Sequence, residues 1–444
     1  MEKSFCKKLG FLIASLGLTA SLVACGGGDD DTGGTNGDDD TTDDSTSEQA
    51  GPEPDGDDIV LTFWAWPGFG LEDLIAEYNE NTDGVHIELQ EGDYNDVHQN
   101  LITALAAGSG APDITAIDEG YLDRMHENSQ HFYNLYDFGI GDLRDEYLEF
   151  KWDQATNVED DFMIGVPTDV GPMVMAYRMD LFEEAGLPTD PEEVAAQMST
   201  WEEYIEAGHQ LNDATGVKMF NTISDFYIAV REQGDIQYFD ENFEYVGDQS
   251  EQNTRAWDLA VSATDLSMNI NRHTPEWGAA LAAGDFATVF LPPWMLQNIK
   301  NDAPDTEGLW NITFMPEGSG NFGGSFLALP QQGDHPEEAY DFITWVMSPE
   351  NQLRIFQNSG PFPSTPSVYD DPSIQELQDE FFTNPELGQI YAEAAQQIIA
   401  GIKGPHHGTV NELKQDALGT VEDGTDPETA WENVNEEVRR QISR

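Results

Sequence analysis

The chain runs to 444 residues and carries 85 Asp+Glu against 18 Lys+Arg, a formal net charge of -67. Such a carboxylate coat repels phosphate backbones and anionic headgroups, which excludes nucleic acid as a partner. With 39% hydrophobic residues, including 10 Trp, 14 Tyr and 23 Phe, the chain can bury large cores, so the body is expected to fold as two domains or lobes rather than stay disordered.

The acid excess suits a protein working in high salt, where the Debye length falls to about 3 Å at 1 M and self-repulsion is screened. The N-terminus "MEKSFCKKLGFLIASLGLTASLVAC" has a basic start and an apolar run from Leu9 to Val23. It reads as a secretory signal peptide over residues 1–24, too short and too early for a mature membrane span. Its end, "LVAC", resembles the bacterial lipobox, whose cysteine becomes the first mature residue and carries lipid on its thiol. Cys25 is therefore the expected lipidation site, against the plainer alternative of a signal peptide with an incidental cysteine. Cys6 and Cys25 are the only cysteines, and Cys6 would leave with the signal. The body is thus expected to lack both disulfides and cysteine metal sites. Residues 25–57, "CGGGDDDTGGTNGDDDTTDDSTSEQAGPEPDGDD", are nearly free of apolar side chains and read as an acidic, self-repelling tether. Its Asp triplets lack the glycine and distal glutamate of a calcium loop.

From Asp58 the pattern changes. "IVLTFWAW" (Ile59–Trp66) reads as a strand. A helix follows, with Leu71, Leu74, Ile75 and Tyr78 on one face. "VHIEL" alternates as a second strand, "YNDVHQNLITALAAGSG" places Val97, Leu101 and Leu105 on one helical face, and "PDITAID" is a third strand. Strand, helix, strand, helix, strand with short links predicts a parallel sheet flanked by helices, with ligands outside the carboxyl ends of the strands. Those ends are Ala65–Pro67, Gly92–Tyr94 and Asp118–Tyr121, and two of the three carry acids beside an aromatic. A second series starts at Met163–Val166, breaks at Pro167, and continues with a strand at Pro172–Tyr177 and a helix at Asp180–Ala185. Ser199 or Thr200 caps the next helix, which carries Trp201, Tyr204 and Ile205 on one face. Further amphipathic helices follow at "PEEAYDFITWVMSPENQLRIF" and "TAWENVNEEVRRQISR".

No nucleophile elbow, P-loop, dinucleotide fingerprint or zinc-protease motif occurs. Paired carboxylates of a glycosidase cannot be read from 85 acids, since any one pair is uninformative. The adjacent His406 and His407 point different ways and have no acidic partner at metal spacing, so no metal or other cofactor is expected. What the sequence does offer is aromatics at loop positions: Trp64 and Trp66, Tyr121, and Trp294 after two prolines in "GDFATVFLPPWMLQNI". Indole and phenol faces stack on sugar C–H surfaces while carboxylates accept hydroxyl hydrogen bonds, the combination that neutral polyols need. Each tryptophan read singly is core more often than a ligand platform.

Together these segments resemble a family, the extracellular solute-binding proteins of ABC importers, in the cluster that binds oligosaccharides and is similar in plan to maltose-binding protein. The resembling stretches are "LITALAAGSGAPDITAIDEGY", "GVPTDVGPMVMAYRMDLFEEAGLP" with "STWEEYIEAGHQL", "AALAAGDFATVFLPPWMLQNI", "FGGSFLALP" and "PEEAYDFITWVMSPENQLRIFQNSGPFPS". The resemblance implies an α/β, two-lobed periplasmic-binding-protein-like fold of type II. Each lobe would be a mainly parallel sheet flanked by helices, with the ligand cleft between lobes. Residues 58–168 plus about 328–366 would form lobe I, and about 169–327 plus 367–444 lobe II. It further implies an extracytoplasmic binding protein rather than an enzyme, a monomer that closes on a neutral sugar or oligosaccharide and delivers it to permease subunits, and that touches the membrane only through its lipid. Carried over by position, Trp294 is the stacking residue, Asp118 and Glu119 form the acidic strand end, and Asp169 lies at the first crossing. Gly324, Ser325 and Phe326 fall at the second crossing, and Trp66 and Tyr94 at other cleft-facing strand ends. His406 and His407 fall where relatives place aromatics, a departure from the pattern. Basic residues are nearly absent from these segments, which argues against acidic ligands. The competing readings are a surface glycoside-active enzyme, a chemoreceptor-linked or adhesive lipoprotein, and a binding protein for a polyol or glycerol derivative.

Overall fold

A computed structural model of the chain describes residues 54, 56, 58–157, 160–399, 401–404 and 406–443. The expected signal peptide, Cys25 and all of the tether but Pro54 and Gly56 lie outside the described residues. The described residues fall in one compact unit, which holds every strand and helix among them.

Its strands are β1 (Ile59–Ala65), β2 (Val85–Glu91), β3 (Ile114–Asp118), β4 (Gly165–Pro167), β5 (Asp169–Val170), β6 (Val174–Arg178), β7 (Thr288–Leu291), β8 (Trp310–Thr313), β9 (Ser325–Ala328) and β10 (Phe362–Pro363). A five-stranded sheet has the order β2-β1-β3-β9-β4. In β1 the pleat turns Leu61, Phe63 and Ala65 into the core, and leaves Thr62 and Trp64 outside. The helices between these strands are cut to length by local chemistry. Asp93 caps the helix Tyr94–Ala107 by accepting from the Asn95 N–H, and Gly108, at φ 69°, ends it in the left-handed conformation that a side chain resists.

The expected parallel order holds for β2, β1 and β3. Elsewhere it needs correcting. β9 runs antiparallel to both β3 and β4, and the three-stranded sheet β7-β6-β8 pairs antiparallel throughout. The reason lies in how the chain passes the cleft. β1, β3, β4, β7 and β8 run toward it and end beside it, whereas β6 and β9 start there and run away. A strand leaving a common edge must oppose its arriving neighbours.

One core gathers residues from Leu61 to Val166, then Phe326–Leu329 and Ala339–Ile355. Two others gather Val170 to Met315 together with Phe356 to Val438. The chain changes sides at short segments that lie against one another. β5 pairs antiparallel with β10, and beside them Phe322 N–H donates to Gly171 O at 2.8 Å while Gly171 N–H donates to Asn321 Oδ1 at 2.9 Å. The β5–β10 passage was not read from the sequence, where "GPFPS" appears only as the end of a resembling stretch.

Candidate ligand-binding cleft

Between the two sheets lies a cavity of about 1310 Å³, larger than the roughly 300–1,000 Å³ of ordinary small-molecule sites. Strand ends build it. Trp66 follows β1, Tyr94 opens the helix after β2, and Asp118 closes β3. Asp169 follows β4, Trp294 sits on the turn Pro293–Met295 after β7, and Gly323–Ser325 precede and open β9.

One wall is aromatic. The Trp66 and Tyr94 rings meet edge to face at 5.2 Å, Tyr94 meets Tyr121 at 5.9 Å, and Phe69 packs on Trp66 at 4.9 Å. Behind them the buried His98 fixes the arrangement. It stacks on Tyr121 at 3.9 Å, accepts the Asp118 N–H on Nε2 at 3.0 Å, and donates from Nδ1 to Tyr94 O at 2.8 Å. That pattern requires a neutral ring, and burial accordingly pushes His98 down to about 4. Trp64, by contrast, stays on the outer surface, donating Nε1–H to Gln90 Oε1 at 3.0 Å.

The opposite wall carries Trp294. The Phe322 and His273 rings neighbour it, near-parallel to the indole at 6.2 and 6.5 Å. The Arg272 guanidinium stands over the Phe322 ring, 5.4 Å from its centre.

Acids lie between the walls. Asp118 Oδ1 accepts the Gly120 N–H at 2.8 Å, and burial, with Glu119 beside it, raises Asp118 to about 6. Asp169 Oδ1 accepts from Ser325 N–H at 3.0 Å and from Thr168 Oγ1–H at 2.6 Å, yet burial still raises its pKa. Both carboxylates retain acceptor capacity that a ligand hydroxyl can use.

Of the residues expected in a binding site, Trp66, Tyr94, Asp118, Glu119, Asp169, Trp294, Gly324, Ser325, His406 and His407 line this cavity. Phe326 does not. One residue into β9, the pleat turns it away from Ser325 and into the core, fully buried under the Lys151 ammonium at 4.0 Å. Glu119 is present but occupied: its carboxylate accepts from Lys403 Nζ at 2.8 Å, Asn321 Nδ2 at 2.6 Å, Gly323 N at 3.3 Å and Gln154 Nε2 at 3.4 Å. His407 is buried with Nδ1 unpartnered, and burial holds it far below the usual histidine range, hence neutral. His406 is exposed at the rim.

The sequence reading also missed lining residues. Phe69, Phe322 and His273 extend the aromatic surface, and Arg124, Arg231 and Lys403 bring positive charge. The expectation of few basic residues is therefore corrected. Arg231 and Lys403 come from segments outside the resembling stretches, and Glu232 pairs with both, so they offer an anionic ligand little uncompensated charge.

Two lobes joined by short crossings, with strand ends from both converging on one large cleft, define a solute-binding protein by fold and site. The sequence profile described as bacterial extracellular solute-binding protein matches residues 73–383, and the chain belongs to that family. It is 28% identical over 354 residues to the arabinooligosaccharide-binding protein of Halalkalibacterium halodurans, covering 74% of this chain and 77% of that one. It is 24% identical over 368 residues to the lactose-binding protein of Rhizobium radiobacter, covering 77% and 83%. The crystal structure of an extracellular solute-binding protein family 1 member matches with a TM-score of 0.82 at 32% identity, over 86% of this chain and 99% of that chain.

Proposed function

We propose that the cleft captures a neutral oligosaccharide by lobe closure and hands it to the permease of an ABC importer. The observation that carries this reading is the pair of aromatic walls. Trp66, Tyr94 and Tyr121 line the same cavity as Trp294, Phe322 and His273, so a sugar held there has rings to stack on from either lobe while Asp118 and Asp169 accept its hydroxyls. The cavity volume supports several linked rings over a single sugar or a glycerol-sized polyol. Bridging both walls, the ligand binds the closed arrangement better than the open one and shifts the population toward it. No covalent step is involved.

We infer that residues 58–168 with about 325–355 form lobe I and residues 169–324 with 356–443 form lobe II, following the membership of the cores. We further infer a monomer moored by a lipid on Cys25, the acidic segment serving as its tether. The related proteins are named for arabinooligosaccharides and lactose, which makes these compounds the first to test.

Thermal shift of the purified protein in high salt, against a panel of neutral oligosaccharides, tests the reading. A ligand at 100 times its Kd raises stability by about 2.7 kcal/mol, and a panel without any upward shift contradicts it. With the sugar that binds, Trp294→Ala is expected to weaken affinity about fivefold or more, ~1 kcal/mol. Isothermal titration measures this, and an unchanged affinity would return Trp294 to a purely structural role.

A further inference from the structure

We propose that Glu119 and Lys403 form a latch between the lobes, an ion pair made and broken as the cleft closes and opens rather than a pair of ligand contacts. This rests on the two-lobed fold and not on the identity of the sugar.

Glu119 begins the helix Glu119–His126 on the β3 side of the cleft. Lys403 lies on the other side, in the segment before the helix His407–Glu422, where neighbouring Ile402 N–H donates to Asp235 O at 2.8 Å. The Lys403 Nζ spans the gap to Glu119 Oε1 at 2.8 Å, with side-chain exposures of 9% and 6%. Where the two helices begin, a Cβ on Gly408 would stand only 3.6 Å from Gly120 O, so the walls meet here.

Each half of the pair is also held within its own surroundings. Lys403 has a second acid, Glu232, at 3.6 Å on its own side, and Glu232 in turn pairs with Arg231. Glu119 is held by Gln154 on its own side and by Asn321 and Gly323 of the crossing. When the walls part, neither charge is left buried without a partner, which is the condition that makes breaking a buried ion pair so unfavourable. Burial works against the Lys403 charge, but Glu119 and Glu232 outweigh it and hold the ammonium above its ordinary range.

Asp123 Oδ2, from the helix of Glu119, and His407 Nδ1, from the helix beyond Lys403, are both buried without a hydrogen-bond partner, and parting walls would give both to water. The latch therefore sets how closed the ligand-free protein already is. A sugar that binds the closed form gains affinity in proportion to that population.

The test measures the distance between lobes with no sugar present. The full chain carries Cys6→Ser and Cys25→Ser, removing its only thiols, and spin labels at Asp73→Cys and Asp416→Cys, both exposed positions on opposite lobes. Double electron–electron resonance on Glu119→Gln and on Lys403→Met is expected to show longer distances than the parent. The double variant is expected to be no more open than the wider single, the signature of a pair acting as a unit. Should Lys403→Met fail to fold, Glu119→Gln carries the test, because Glu232 keeps its lysine paired. Parent-like distances in a folded single variant, or two openings that simply add, would overturn the latch.

Discussion

Gly171→Ala is expected to lower the stability of the body by about 3 kcal/mol, at the upper end of what overpacking costs. A Cβ on Gly171 would lie 2.0 Å from the Phe322 carbonyl oxygen and 2.7 Å from its carbonyl carbon. The obstacle is backbone, so no side-chain rotation relieves it. Relief comes only if the two crossings separate, and that breaks the Phe322–Gly171 and Gly171–Asn321 hydrogen bonds together. Asn321 also holds Glu119, and Phe322 flanks Trp294, so the damage reaches the cleft as well as the fold. Urea unfolding followed by tryptophan fluorescence measures the loss. Gly419→Ala is the control: it lies within the helix His407–Glu422 with open space around its Cβ position. There alanine should stabilise by about 0.5–1 kcal/mol. If the two substitutions have equal effects, the close approach at Gly171 is not what holds the crossings.

Trp201→Ala is expected to cost about 3–5 kcal/mol, the range for removing a fully buried aromatic. The indole is completely buried and meets Tyr204, Phe226 and Phe290 edge to face at 5.7, 5.2 and 5.4 Å. Its Nε1–H donates to the half-buried Gln233 Oε1 at 2.7 Å, so the substitution also removes that acceptor's partner. It sits at the first position of a helix fixed by a reciprocal capping box between Thr200 and Glu203, hence the loss is one of packing and not of helix initiation. Trp201→Phe, which keeps most of the ring contacts and loses the hydrogen bond, should fall well short of the alanine variant in the same denaturation experiment.

Much of this was legible in the sequence, and where it was not the causes are physical. Period-two and helical patterns placed β1, β2 and the helices between the first strands, because those elements bury one face more than the other, whereas β3, buried on both faces, was found as a short apolar run after a proline. The antiparallel pairing of β4 and β6 escaped detection, although both strands were located, because direction is a property of where a strand starts relative to the cleft, which local periodicity does not carry. β10 is two residues long and has no period at all. Within the site, Trp294 and the acids at the end of β3 were found because a strand end announces itself through prolines and a change of pattern. Phe326 was misplaced by a single residue of pleat. Glu119 was placed in the cleft correctly, but its partners were invisible: with 85 acids in the chain, nothing in the sequence distinguishes the one that meets Lys403. Lys403 itself lies in "GIKGPHHG", a stretch without periodicity whose position is fixed entirely by tertiary contacts.

The acidic composition and the cleft chemistry are separate features. Charge repulsion governs the solvent-facing surface and is screened by salt. The interior of the cleft is organised by aromatic contacts, a neutral His98 and carboxylates that accept backbone and hydroxyl donors, which salt screens far less. Capture of an uncharged ligand therefore fits a surface as acidic as this one, since the long-range field neither attracts nor repels it.

Small-angle X-ray scattering with and without the sugar that gives the largest thermal shift tests the central claim most directly. Closure of two lobes around an oligosaccharide predicts a smaller radius of gyration that saturates along the binding isotherm. Saturable binding with no contraction, or a panel in which no sugar binds, would contradict it.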